Sequence, residues 1–335
     1  MAYRRTGGSW ANSDRCRRSG PIGAGRRAAG WSVSRNRRRR TVATLHHAWT
    51  RGIDAVDVAP LYGHGRGEAR LAQYRAAFPA NNFRITTKVG RRLRARAAGI
   101  PAPGDFVDPL PFTPVFDYSA DGIRRGFDDS LARLEVDYVD ILLLHDIGER
   151  THGDAHREIL RQALDEALPA MAGLKKAGRV GAIGLGVNEW EVADMVLARA
   201  PIDVVLLAGR YTLLDQSGLA FLDRAHAAGI AVHAAGVFNS GLLAGGGTFD
   251  YQAAPPAMIA RRDRLGAICA RYDVELAAAA LRFPIAHPAV TRLVVGLAST
   301  VEIDTCLANL ELPIPAELWR ALKADAMLAA EAPTP

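Results

Sequence analysis

From Thr41 onward the chain alternates short apolar runs with helical stretches, and that rhythm restricts it to parallel strands joined by helical crossovers. Strand-like runs fall at 53–58, 83–89, 138–144, 180–186, 202–208, 230–235 and 291–296. Helical stretches are expected at 41–51, 67–78, 119–134, 156–177, 189–199, 217–228, 256–282 (broken before Pro284), 300–310 and 315–330. A long Pro/Gly segment, 90–117, interrupts the pattern after the second run, and a loop of that length at a strand exit is expected to border a substrate. Seven strands with their helices predict a parallel α/β barrel.

Three runs end in, or lead directly into, an ionisable side chain: IDAVD in Asp57, FRITTK in Lys88 and YVDILLLH in His145. In a barrel these ends converge on one face, where active sites of that architecture lie. Tyr62 follows in DVAPLYGHG, which makes a tyrosine acid/base the natural reading. A phenol titrates near ~10, too high for work at neutral pH unless a buried cation stabilises the phenolate. Lys88 would supply that cation, Asp57 its counter-ion, and His145 a hydrogen bond to the reacting oxygen. Alone, Tyr62 would be a loop aromatic and His145 a core histidine. A lysine closing an apolar strand is costly to bury unless paired, which favours an Asp57 contact over a solvated lysine. His152 and His156 stand four apart without a third ligand in view, so no metal site is expected.

Asp-x-Ala-x-x-Tyr-Gly, the Thr-Lys of the next strand and LLLHD after it together resemble the aldo-keto reductases. AGRYTLLDQ, FNSGLLAGG and VVGLAST are similar to the branch that holds D-threo-aldose, fucose and pyridoxal dehydrogenases. The resemblance spans Thr41 to Leu312 and implies a single (β/α)8 TIM barrel that takes a nicotinamide cofactor without a Rossmann domain. Indeed, GAIGLG has its glycines at the wrong intervals for a dinucleotide fingerprint. The resemblance further implies that Asn188 holds the nicotinamide amide, that Ser240, Gly241 and Leu242 approach the pyrophosphate, and that Ser299 reaches the adenosine phosphate region.

Several positions depart from that pattern. Ala208 stands where many relatives have glutamine, and Ala235 replaces the tyrosine that stacks on nicotinamide, leaving Phe238 as a substitute surface. Ala298 and Asp304 occupy positions where NADP-dependent relatives carry basic residues. A 2′-phosphate would lose two charge-assisted contacts there and meet a like charge, so NAD is the expected cofactor with NADP second. The expected activity is oxidation of a small sugar or similar alcohol, aldose to lactone. The alternatives are NADPH-dependent reduction of an aldehyde or ketone, and a catalytically impaired or regulatory barrel.

The formal charge of +7 is unevenly placed. Residues 1–40 hold twelve of the 42 basic residues and one of the 35 acidic ones, so this leader is +11 and residues 41–335 are −4. The leader has no interleaved aromatics at stacking intervals, and any affinity for nucleic acid would be weak and steeply salt-dependent. Its composition predicts disorder, and the first barrel strand that should precede TVATLHHAWTRG is degraded or missing, leaving a gap between the second and eighth strands. An upstream frame change in a GC-rich gene would produce such Arg-rich text. Three cysteines without metal spacing suggest reduced thiols in a cytoplasmic protein, and no apolar run is long enough to cross a bilayer. A small-molecule substrate and a monomer or weak homo-oligomer complete the expectation.

Overall fold

The computed structural model describes residues 2–4, 35–104, 106 and 109–335. In chain order the strands are β1 (Ala2–Arg4), β2 (Ala55–Asp57), β3 (Arg84–Val89), β4 (Arg91–Ala95), β5 (Phe112–Phe116), β6 (Val139–His145), β7 (Val180–Val187), β8 (Val204–Ala208), β9 (Ala231–Ala235), β10 (Thr248–Phe249), β11 (Gln252–Ala253) and β12 (Val290–Val294). Eight of them close a barrel in the order β1-β12-β9-β8-β7-β6-β3-β2. The seven strands expected from the sequence are all present and pair in parallel.

The eighth place differs from expectation. Ala2–Arg4 fills the seam between β2 and β12, running antiparallel to both, with Ala2 opposite Val294 and Ala55. The expected gap is therefore closed, by a three-residue strand of the wrong direction for a (β/α)8 repeat. Side chains also bridge the seam: Arg292 Nη1 donates to Asp54 Oδ1 at 2.8 Å. The rest of the expected leader, residues 5–34, lies outside the described residues, and the first helix begins at Arg35 rather than residue 41.

Two other expectations are corrected. The 90–117 segment contains an antiparallel ribbon, β4 with β5, registered Arg91 to Phe116 and Ala95 to Phe112. The expected 256–282 helix is two helices, Pro256–Ala270 and Leu276–Ile285, parted around Asp273 at φ 55°, while Pro284 sits inside the second. Pro284 has no N–H to donate back along the helix, and the helix ends one residue later, at Ile285.

Strand side chains alternate between faces, and the alternation sorts the core. Leu142, Leu144, Val205 and Leu207 belong to the large layer between strands and helices, whereas Leu143, Val204, Leu206 and Ala235 form a small cluster inside the barrel. Lys88 and His145 have the inward parity, since Lys88 is registered with Leu143 and His145 lies two residues beyond it. Asp57 is registered with Thr86, two residues before Lys88. On β7 the inward positions opposite Leu143 and His145 are Gly184 and Gly186. A Cβ at Gly186 would lie 3.2 Å from Lys88 Cε, so this glycine makes room for the lysine stem crossing the barrel.

Gly184 faces harder matter. A Cβ there would lie 1.7 Å from the Val204 carbonyl oxygen, a backbone atom that cannot yield without separating β7 from β8. We expect Gly184→Ala to destabilise the chain by about 3 kcal/mol, the upper end of ordinary overpacking. In urea unfolding the midpoint should fall with the slope unchanged.

Candidate active site

The tetrad residues read from the sequence meet at the strand-exit face. Lys88 Nζ donates to Asp57 Oδ1 at 2.6 Å and to the Val58 carbonyl at 3.1 Å. Lys88 is buried, at 2% exposure, and Asp57 lies at the edge of burial, at 9%. The same ammonium lies 4.8 Å from the centroid of the Tyr62 ring. The His145 ring meets Tyr62 edge-on, centroids 6.1 Å apart.

Tyr62 is positioned by the local chemistry of YGHG. Gly63, His64 and Gly65 take φ values of 62°, 52° and 92°, a left-handed sequence that turns the chain sharply into helix Arg66–Ala77. Two contacts pin this turn to the β5 side of the mouth: His64 Nδ1 lies 2.8 Å from the Phe112 carbonyl, and Leu110 N–H donates to the Gly63 carbonyl at 3.0 Å. Below it, buried Glu68 accepts from Thr87 Oγ1 and Arg133 Nε, both at 2.7 Å, tying the helix to the strand that carries Lys88.

Burial and charge set the protonation states. Desolvation lifts the Tyr62 phenol above its ordinary value; Lys88 pulls it down, but burial prevails with help from Asp57. Lys88 thus offsets part of the burial, and Tyr62 rests protonated at neutral pH. Desolvation works against the Lys88 ammonium, yet the negative charges of Asp57 and Tyr62 outweigh it and raise its pKa. His145 is held well below the usual histidine range by burial first and by the Lys88 and Arg91 charges second, so its imidazole is neutral. Its Nδ1 is buried without a partner among the described residues, as is Asp57 Oδ2.

Sequence reasoning passed over two groups here. Arg91 directly follows Gly90 at the exit of β3, and its Nη2 donates to Asp146 Oδ2 at 2.6 Å. Asp146 directly follows His145 and takes φ 44°. The signal for both was adjacency to the strand ends, which by itself does not separate a site residue from a solvated one.

The implied cofactor residues are dispersed around the same mouth. Asn188 Nδ2 donates to Asp146 Oδ1 at 3.2 Å, while Asn188 Oδ1 accepts from Tyr251 OH at 3.2 Å. Phe238 is half-buried against the core. Ser240 and Gly241 are left-handed, at 59° and 96°, but the N–H groups of Gly241 and Leu242 are used within the turn, on the Phe238 and Asn239 carbonyls. Leu242 buries its side chain fully. Ser299 caps helix Thr300–Glu311, its hydroxyl accepting from Glu302 N–H at 3.2 Å.

A strap crosses the opening. The turn between β10 and β11 carries Asp250, whose Oδ2 accepts from Arg150 Nη1 and Arg210 Nη2, each at 2.7 Å. His152 and His156 are engaged separately: His152 Nε2 lies 2.9 Å from the Asp146 carbonyl, and His156 Nδ1 is 2.9 Å from the Gly153 carbonyl. Among the described residues, no three His, Cys, Asp or Glu side chains are grouped to hold a metal ion, and no helix is long and apolar enough to cross a membrane. A surface groove of about 1130 Å³ beside Arg157, Arg161 and Met195 shares no residue with the tetrad.

The aldo/keto reductase family model matches residues 21–325. Pyridoxal 4-dehydrogenase of Microbacterium luteolum is 42% identical over 302 residues, covering 85% of this chain and 88% of that protein. D-threo-aldose 1-dehydrogenase of a Pseudomonas species is 36% identical over 305 residues, 88% of each. Among solved structures, an aldo-keto reductase of Bacillus halodurans in its holo form shares the fold, with TM-score 0.67 at 21% identity over 90% of this chain and 91% of that one. Glycerol dehydrogenase of Gluconobacter oxydans does so equally, with TM-score 0.67 at 21% identity over 91% and 90%. With a barrel of seven parallel strands and a family match over most of its length, this chain belongs to the aldo/keto reductase family of oxidoreductases.

Proposed function

We propose that the chain oxidises a small hydroxylated substrate, an aldose to its lactone or a comparable alcohol, with Tyr62 as the proton-transferring group and NAD as cofactor. The observation that carries this reading is the Lys88 ammonium, locked on Asp57 at 2.6 Å and 4.8 Å from the Tyr62 ring. Relatives at 42% and 36% identity named for pyridoxal and aldose oxidation support the direction and substrate class.

The mouth suits a nicotinamide group: Asn188 turns an amide oxygen outward, and the Gly241 turn opens onto free space, since an added Cβ would meet nothing within 4 Å. Asn188 would hold the carboxamide, with Phe238 beside the ring and the Ser240–Leu242 turn near the phosphates. The bound nicotinamide supplies a hydride acceptor. In its phenolate form, stabilised by Lys88, Tyr62 takes the hydroxyl proton of the substrate and becomes the phenol, while neutral His145 offers its unpartnered ring nitrogen to the reacting oxygen.

Because Tyr62 rests as a phenol, its basic form grows as pH rises. Turnover in oxidation should climb with pH up to and beyond about 10, whereas the reverse reduction, which needs the acid form, should stay level to about pH 10 and fall only above it. Tyr62→Phe should lower both by about 10² to 10⁴ while leaving cofactor affinity, measured by fluorescence titration, nearly intact. Wild-type turnover in Tyr62→Phe would overturn the mechanism.

Preference for NAD draws on the helix that follows β12. Glu302 Oε2 accepts from Ala298 N–H at 2.8 Å while Glu302 N–H donates to Ser299 Oγ, which seats a carboxylate at the helix N-terminus. A 2′-phosphate drawn to that terminus would meet this charge. Asp304, by contrast, is compensated by His47 at 2.9 Å and Arg51 at 3.1 Å, which makes it a helix-docking residue as much as a cofactor discriminator. We expect NAD to bind more tightly than NADP, and Ala298→Arg with Glu302→Gln to shift the ratio toward NADP by about tenfold or more. Tighter binding of NADP by the unmodified chain would refute the preference.

A further inference from the structure

Asp146 connects more of the site than any one tetrad member. Its Oδ2 takes Arg91 from the β3 exit at 2.6 Å, and its Oδ1 takes the Asn188 amide from the β7 exit at 3.2 Å. Its N–H donates to the Gly186 carbonyl at 3.0 Å, and its own carbonyl lies 2.7 Å from Tyr118 OH and 2.9 Å from His152 Nε2. The carboxylate also lies 3.5 Å from His145 Nε2. At φ 44° Asp146 takes a left-handed backbone, which Asp and Asn adopt more readily than other non-glycine residues, and these bonds hold it there.

The consequence lies in the asymmetry of a carboxylate. An ionised aspartate accepts and never donates, so the Asn188 amide can face it only through its NH₂ group. The other end of the amide, an acceptor oxygen, must then point to the mouth. It does: the Tyr251 phenol, brought by the β10–β11 turn, donates to that oxygen. The Asn188 backbone is fixed as well, its carbonyl accepting from Arg210 Nε at 2.9 Å.

We propose that Asp146 is a positioning residue that fixes the amide of Asn188 with its oxygen outward, so that the site selects a ligand group bearing an N–H donor and the Tyr251 hydroxyl holds that place until such a group arrives. The proposal rests on the reading that Asn188 meets the nicotinamide carboxamide, whose NH₂ is that donor. Asp146→Asn reverses the arrangement. The Arg91 guanidinium claims the oxygen of the substituted amide, the NH₂ of that amide turns to Asn188, and the Asn188 amide flips to present a donor outward. Asparagine tolerates a left-handed backbone, so the fold is retained.

The test is equilibrium binding of NAD and of 3-acetylpyridine adenine dinucleotide, which keeps the ring carbonyl but replaces the amide nitrogen with a methyl group. Circular dichroism checks that each variant is folded. The native chain should prefer NAD by about tenfold, the worth of one hydrogen bond in a buried site. Asp146→Asn should erase or invert that ratio, and Asp146→Asn with Asn188→Asp, which returns an outward acceptor, should restore it. A purely structural role would weaken both ligands alike. If Asn188→Ala loses the ratio but Asp146→Asn keeps it, Asp146 does not set the amide and the proposal fails alone. If the native chain shows no preference, or Asn188→Ala retains it, the Asn188 contact fails and the proposal falls with it.

Discussion

The buried pair of Lys88 and Asp57 is the constraint on which the site depends. Two charges removed from water are costly, and removing either partner would leave the other uncompensated at about 3 to 5 kcal/mol. The barrel meets that cost with geometry: both residues have inward parity on adjacent strands, the Val58 carbonyl takes a second ammonium proton, and Gly186 across the barrel leaves room for the lysine stem. A single fixed cation then acts on its neighbours in opposite senses. It opposes the desolvation that raises Tyr62, and it adds to the desolvation that keeps His145 neutral.

Around this floor the strand exits are held by polar bonds instead of apolar packing. Arg91, Asp146 and Asn188 link the exits of β3, β6 and β7, while the Asp250 carboxylate gathers Arg150 from the β6 exit and Arg210 from the β8 exit. Such contacts open more readily than a hydrophobic core, which suits the side of a barrel that must admit a substrate. Six of the nine non-glycine residues with positive φ among the described residues, His64, Asp146, Asn239, Ser240, Asp250 and Tyr251, lie in strand-exit loops on the same face. The opposite end carries the seam pairing of Arg292 with Asp54, which serves closure of the sheet.

Closing that seam addresses the backbone of β2 and β12, whose inner edges would otherwise present unpaired donors and acceptors. Ala2–Arg4 supplies partners with three residues and without the direction of the repeat. Antiparallel pairing suffices for hydrogen bonding. Asn188, the Ser240–Leu242 turn and Ser299 lie at the exits of β7, β9 and β12, and the helix that follows β12 has the Glu302 carboxylate at its N-terminus.

What the sequence by itself determined was periodic or local. Alternation of strands and helices specified seven parallel strands, and period-two parity placed Asp57, Lys88 and His145 on the inner face, because side-chain direction in a strand follows from position alone. The Ser299 cap was equally local, with Glu302 three residues on in STVE. Tertiary structure decided the rest. The state of Tyr62 depends on a balance between burial and a lysine from another strand, which no spacing encodes. The β4–β5 ribbon arises where 91–95 finds 112–116 across a Pro-rich turn, and the seam strand arises where open edges accept whatever backbone reaches them. Asp146 was one more acidic residue beside a histidine until folding brought Arg91 and Asn188 to its two oxygens; long-range hydrogen bonds have no period, and so leave no trace in a sequence read alone.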